Sequence, residues 1–299
     1  MIYTFTLNPS VDYYMDIDNL AVGSLNRSSG ESYVFGGKGI NVSRMLKRLG
    51  CKSCAVALVG GFTGKALAEG LKEAGIELKP IYTRGVTRIN VKLSKIATEL
   101  NGKGTTADEE SLGQLNKILA AINKGDTVIL SGSVCQGIDK SIYGKIVSEL
   151  NKKGVITIVD AEGELLLKAI EANPYLVKPN HIELGQIFDI EIKDINTAEL
   201  CATKLLEKGV ENILVSMGEK GAVLVNNSGT YFCKAPEVKP VNTVGAGDCL
   251  LAGYIYALEN NYSYDKALQF AVICGSERVK TGDFPDNNVV NKIFGKFMS

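Results

Sequence analysis

Short apolar runs alternate with stretches of helical period along the first two thirds of the chain. Ile2–Leu7 alternates apolar and polar side chains and predicts a strand. Cys54–Val59, Thr127–Leu130, Val155–Val159, Tyr175–Val177 and Ile213–Val215 are compact apolar runs, as carried by strands buried on both faces. Between them, Ile40–Leu49, Lys65–Ala74, Glu110–Ile122, Lys140–Asn151 and Ala198–Glu207 have helical spacing. This order predicts an α/β fold with a mostly parallel sheet flanked by helices. The end of the chain turns helical, over Asp248–Leu258, Tyr264–Val279 and Asn288–Phe297.

Two stretches, about 11–35 and 88–101, break the rhythm. They are polar and β-prone without helical spacing, and Arg88-Ile89-Asn90-Val91-Lys92-Leu93 alternates like a strand with one wet face. The expectation is a small separate β-sheet that acts as a lid. No Pro/Gly/Ser-rich linker and no repeat interrupts the sequence, so residues 1–299 are expected to form one domain.

Composition narrows the function. Lys plus Arg number 33 and Asp plus Glu number 33, so the chain lacks the basic excess of a nucleic-acid binder. Positive charge for an anionic ligand must be local. The N-terminus has no basic n-region, and the longest nearly apolar run, Cys249–Leu258, is half the roughly 20 residues of a membrane span. No membrane association is expected. Seven scattered cysteines suit reduced thiols and a cytoplasmic protein. The Cys51-Lys52-Ser53-Cys54 pair lacks further ligands nearby, so no protein-held metal is expected. His181 is the only histidine, which leaves acid–base chemistry to carboxylates or lysines.

The strongest local signal is Asn242-Thr243-Val244-Gly245-Ala246-Gly247-Asp248. Asp248 is the only charged side chain from Asn242 to Leu258, at the head of a very apolar helix. Gly245, Ala246 and Gly247 let the backbone approach a ligand closely, and the helix N-terminus beyond them favours an anion. A phosphoryl group held there beside a carboxylate is kinase geometry; an ordinary first-turn Asp is the competing account. A second glycine cluster, Gly36-Gly37-Lys38-Gly39-Ile40-Asn41, also precedes a helix. No GxxxxGK[ST] occurs, and no GxGxxG follows a strand, which argues against a nicotinamide oxidoreductase. Asp12 is expected just past the first strand, and Ser131-Gly132-Ser133 beyond the end of another, where open α/β sheets bind ligands. Asn180 and Glu183 lie one turn apart at a helix start, where they can serve a ligand or cap the helix.

The order and spacing of these clusters resemble the ribokinase-like (phosphofructokinase B) family of sugar kinases across essentially the whole chain. One family signature runs from Gly36-Gly37-Lys38-Gly39-Ile40-Asn41-Val42-Ser43 through Gly50 to Gly60, the other from Asn242 to Gly253. Within the family, Thr4–Asp12, Asn26-Arg27, Gly60–Gly64, Thr87–Lys92 and Val215–Gly218 look like the 1-phosphofructokinase branch, whose near neighbour is the tagatose-6-phosphate kinases. The resemblance implies ATP-dependent phosphorylation of fructose 1-phosphate, or of another ketose phosphate, with Mg²⁺ held largely through water and nucleotide oxygens. It implies Asp248 as base, with Gly245, Ala246 and Gly247 on the moving phosphoryl group. Asp12, Gly37 and Asn41 would hold sugar hydroxyls, and Lys38, Arg88, Ser133 and Arg27 the phosphate already on the sugar. Ser216, Gly218 and Asn242 would line the nucleotide pocket, and Asn180 and Glu183 would serve the ATP phosphates and Mg²⁺. It further implies a homodimer through the lid strands. The chain departs from the family at Val134-Cys135-Gln136-Gly137, at Asp160-Ala161-Glu162-Gly163 and over Arg278–Phe284. A non-catalytic sugar-phosphate sensor is the reading from another class.

Overall fold

In the computed structural model, which describes residues 1–297, the chain opens with β1 (Ile2–Thr6), β2 (Ser10–Met15) and β3 (Glu31–Gly36) before helix α1 (Lys38–Arg48). Then come β4 (Ser53–Val59), α2 (Gly61–Glu73), β5 (Glu77–Tyr82), β6 (Arg88–Leu93) and β7 (Thr98–Asn101). A βα series follows: α3 (Glu109–Ala120), β8 (Thr127–Ser131), α4 (Ile142–Lys152), β9 (Ile156–Asp160), α5 (Gly163–Ile170), β10 (Leu176–Val177), α6 (His181–Phe188), α7 (Ile195–Glu207) and β11 (Asn212–Ser216). The hairpin β12 (Ala222–Asn226) and β13 (Gly229–Cys233) leads into α8 (Ala246–Glu259), α9 (Tyr264–Thr281) and α10 (Asn287–Phe297).

The main sheet has nine strands in the order β13-β12-β11-β10-β9-β8-β1-β4-β5, parallel from β11 to β5 and antiparallel at the β12–β13 edge. Its strand residues divide between two cores by the twofold alternation of a pleat. Val128, Leu130, Ile213 and Val215 face one core with α3–α7, whereas Ile129 and Leu214 face the other with α1, α8 and α9. Both faces are therefore dry, which is why these strands read as unbroken apolar runs. Helix α8 is apolar on all sides because α1, α9 and the sheet enclose it.

The second sheet, β3-β2-β6-β7, stands apart as expected from the segments about 11–35 and 88–101, and it is mixed: β2 pairs antiparallel with β3 but parallel with β6. Three features differ from the sequence reading. Asp12 lies inside β2, not in a loop past β1, because a new strand starts straight after Pro9. The expected rhythm omitted β5, whose Lys79-Pro80 is tolerated at a sheet edge, and the β12–β13 hairpin, which has no crossover helix. It also omitted α5, only eight residues long.

Candidate active site

Gly245 adopts a left-handed conformation (φ 83°) and caps α8, so the amides of the first turn open toward solvent without a side chain over them. Asp248 follows in that turn, 6% exposed, and its Oδ2 accepts a hydrogen bond from Asn41 Nδ2 at 2.8 Å. Burial pushes the Asp248 carboxyl up to about 6, with the nearby Asp160 charge adding to it; Asn41, Lys38 and Lys178 pull the other way. The group is thus largely ionised at neutral pH yet a better proton acceptor than an exposed aspartate.

Parallel pairing gathers a second set of charges. Register places Ser131 beside both Thr6 and Asp160, and Lys178 directly follows the short strand paired with β9. Asp160 is fully buried and accepts from Lys38 Nζ at 3.0 Å and Lys178 Nζ at 3.3 Å. Burial works to raise its carboxyl, but the two ammoniums outweigh it and hold the group below the usual carboxylate range. Asp160 in turn raises the Lys38 ammonium. Lys38 also lies 3.9 Å from Glu183. Lys178 Nζ sits 3.2 Å from the point a Cβ on Gly247 would occupy, so a buried cation supports the glycine turn from below.

A cavity of about 200 Å³ adjoins these groups, lined by Thr6, Asn8, Gly37, Lys38, Arg88 and Ser133 among others. Arg88 Nε donates to the Asn8 carbonyl at 3.2 Å, and Asn8 Nδ2 donates to Ser133 Oγ at 3.3 Å. Gly37 (φ 124°) turns the chain into α1, and a Cβ there would stand 2.4 Å from Thr6 Cγ2. Gly37→Ala is expected to destabilise the fold by about 2–3 kcal/mol, through a backbone region nearly closed to other residues and a direct clash. Urea unfolding measures this; a midpoint within error of wild type would contradict the local geometry.

On the other side of the turn lies a groove of about 1800 Å³, bordered by Asn180, Ser216, Gly218, Ala246 and Gly247. Asn180 caps α6 by accepting from the amides of Ile182 and Glu183, while Glu183 Oε2 accepts from the Asn180 amide. These two residues therefore cap the helix as well as approaching the site. Asn242 shapes the turn by accepting from the Val244 amide at 2.9 Å and does not line the groove. Asp12 accepts from Ser10 and Asn90 within the second sheet, and Arg27 is exposed in the β2–β3 connection; neither lines the two cavities.

The structure thus brings together Asn180, Ser216, Gly218, Ala246 and Gly247 along the groove and Gly37, Lys38, Arg88 and Ser133 around the small cavity, with Asn41 and Asp248 paired at the turn. Sequence reasoning missed Lys178 and gave Asp160 no role. The available signal was a charged residue closing, or directly following, a strand otherwise buried. Among the described residues no group of three or more His, Cys, Asp or Glu can hold a metal. One carboxylate, Glu183, near a phosphate-sized turn suits Mg²⁺, which keeps its waters and binds chiefly through substrate phosphates. The open groove ending at the amide turn suits a nucleotide triphosphate.

The family model described as pfkB family carbohydrate kinase matches residues 6–284. The 1-phosphofructokinase of Bacillus subtilis (strain 168) is 42% identical over 277 residues, covering 92% of this chain and 91% of that protein. The D-tagatose-1-phosphate kinase of Bacillus licheniformis is 33% identical over 279 residues, covering 92% and 91%. Phosphofructokinase-2 from Escherichia coli, solved in complex with substrates and products, superposes with a TM-score of 0.91 at 27% identity, covering 100% of this chain and 99% of that one.

Proposed function

The chain belongs to the pfkB family of carbohydrate kinases, and from that premise we propose that it transfers the γ-phosphoryl group of ATP to the C6 hydroxyl of fructose 1-phosphate. The observation that carries this reading is the Asp248 carboxylate in the glycine turn, whose Ala246 and Gly247 border the open groove, close to a small cavity lined by Lys38 and Arg88. ATP occupies the groove against Ser216 and Gly218, with Asn180 and Glu183 toward its phosphates; Mg²⁺, when bound, neutralises phosphate charge there. Lys38, Arg88 and Ser133 hold the 1-phosphate, since ammonium and guanidinium groups suit a dianion. Gly37, Asn41 and, once the lid sheet closes, Asp12 meet the sugar hydroxyls, with Arg27 brought to the phosphate by the same movement. Asp248 takes the C6 proton as the oxygen attacks phosphorus. The bond to the leaving ADP oxygen breaks with its electron pair, and the amides of Gly245, Ala246 and Gly247 stabilise the moving group. Asp160 is a positioning residue that fixes both lysines.

The two sheets act as one domain with its lid. Tyr33, Ile89 and Leu100 expose apolar surface on the lid, 60%, 41% and 59% exposed, which supports a homodimer formed there. Free thiols support a cytoplasmic enzyme, and the balance of 33 basic and 33 acidic residues supports one without a nucleic-acid partner; among the described residues no helix is long and apolar enough to cross a membrane.

A coupled ADP-release assay tests the substrate with fructose 1-phosphate, fructose 6-phosphate, tagatose 1-phosphate, tagatose 6-phosphate and fructose. The expected order puts fructose 1-phosphate first in kcat/KM. A preference for tagatose 6-phosphate would transfer the assignment, and sugar binding without ADP release would make the chain a sensor. Arg88→Ala is expected to raise the sugar-phosphate KM by about 10–100-fold, the worth of a hydrogen bond to a charged group, with kcat little changed. A change confined to the ATP KM would move Arg88 to the other side of the turn.

A further inference from the structure

Helix α9 carries a buried cation to which the reading above gives no task. Arg278 is 8% exposed, and its Nε and Nη1 have no hydrogen-bond partner. The guanidinium stacks over the Phe284 ring, 5.1 Å from its centroid, and forms no ion pair among the described residues. Asp283, close by in sequence, lies instead 3.5 Å from Arg48. The charge felt by Arg278 from Arg44 on α1 is a like one: Arg44 is a half-buried guanidinium whose protonation is weakened by burial, supported by Asp283 and weakened again by Arg278. An unpaired guanidinium at this depth costs folding free energy, and arginines are seldom buried so fully without a partner. The Phe284 ring offsets part of that cost but does not cancel it.

The neighbourhood identifies what would. A carbon placed as a Cβ on Gly245 would stand 3.5 Å from Arg278 Nε, 3.8 Å from Asn41 Nδ2 and 3.9 Å from Asp248 Oδ2. Two donors and the carboxylate thus gather on one side of Gly245, on the turn read above as the phosphoryl site. We propose that Arg278 is a further catalytic residue, which donates Nε and Nη1 to an oxygen of the phosphoryl group in transit over Gly245. The inference rests on the kinase reading. In that step the bond from γ-phosphorus to ADP breaks with its electron pair on ADP, a bond forms from the sugar oxygen, and the sugar proton goes to Asp248. The fixed charge of Arg278 is met only while the transferring group is present, which favours the transition state over either bound ground state.

Arg278→Met keeps length and removes charge. It is expected to lower kcat by about 10²–10³-fold, with both KM values near wild type. It should also raise Tm by a few degrees, because the desolvated charge is gone. By calorimetry, MgADP with tetrafluoroaluminate should bind the Met variant about 10²-fold more weakly than wild type. Millimolar guanidinium should restore turnover to Arg278→Ala, whose truncation leaves a hole of that shape. Wild-type kcat in the Met variant would overturn the proposal. So would a fall in kcat joined to a lower Tm, which marks a packing role, or a rise confined to the sugar-phosphate KM, which would place Arg278 on the ester phosphate. If the wild-type chain phosphorylates none of the sugar phosphates, the substrate reading fails, while the tetrafluoroaluminate comparison still decides the role of Arg278.

Discussion

Asp248→Asn is expected to lower kcat by about 10²–10⁴-fold, the usual contribution of a positioned proton acceptor, while leaving nucleotide and sugar-phosphate binding nearly intact. The amide keeps the shape and the contact with Asn41 but cannot take the C6 proton. Wild-type kcat/KM should fall below a pH of about 6, where Asp248 becomes protonated, and the variant should lack that acid limb. Stability moves in the opposite sense. A carboxyl whose folded value is raised from 3.8 to about 6 is favoured in its protonated form, so its contribution is lost as pH rises through that range. At pH 8 the ionised group costs on the order of 3 kcal/mol, and the neutral amide should recover much of it. Steady-state kinetics and urea unfolding on the same variant read both effects. Near-native turnover would end the assignment of Asp248 as base.

Asp160→Ala is expected to destabilise the chain by about 3–5 kcal/mol, the effect of breaking a buried ion pair and leaving its partner charged. Among the described residues, Lys178, with its side chain 5% exposed, would keep no carboxylate within 4 Å, and Lys38 only Glu183 at 3.9 Å. The pH dependence has a definite sign. The folded Asp160 carboxyl lies below its unfolded value, so its stabilisation is full above about pH 4 and is lost as pH falls toward the folded value. The wild type should therefore lose stability on acidification, and the variant should lose less. Turnover should also drop, since both lysines would leave their places against the turn and the small cavity. A urea midpoint close to wild type at pH 7 would show that the three charges do not depend on one another.

The turn at Gly245–Asp248 was legible in the sequence because one carboxylate interrupts an otherwise apolar stretch, and such a helix must be buried by its surroundings. The βα rhythm was legible for the same reason: strands dry on both faces leave no polar phase to confuse them with loops. The convergence on Asp160 was not. It depends on β9 lying between β8 and β10, and strand order comes from crossovers rather than from any local run of residues. Arg278 was visible only as the start of a stretch that departs from the family, since its orphaned nitrogens exist only once α9 packs against α8. Asn180 and Glu183 fitted two accounts, capping and ligand binding. The capping is now seen, and it orients both groups beside the groove.

The contact between Asn41 and Asp248 joins residues 207 positions apart, and it sets when the molecule can begin to work. Most of the parallel sheet can assemble while α8 and α9 are still being synthesised, but the carboxylate arrives only with the last fifth of the polypeptide. Closing so long a loop is entropically slow compared with forming neighbouring βα units. A nascent chain on the ribosome therefore has most of its sheet before it has either the carboxylate or the groove wall that Ala246, Gly247 and α9 supply. During refolding, recovery of turnover times this final docking rather than growth of the sheet.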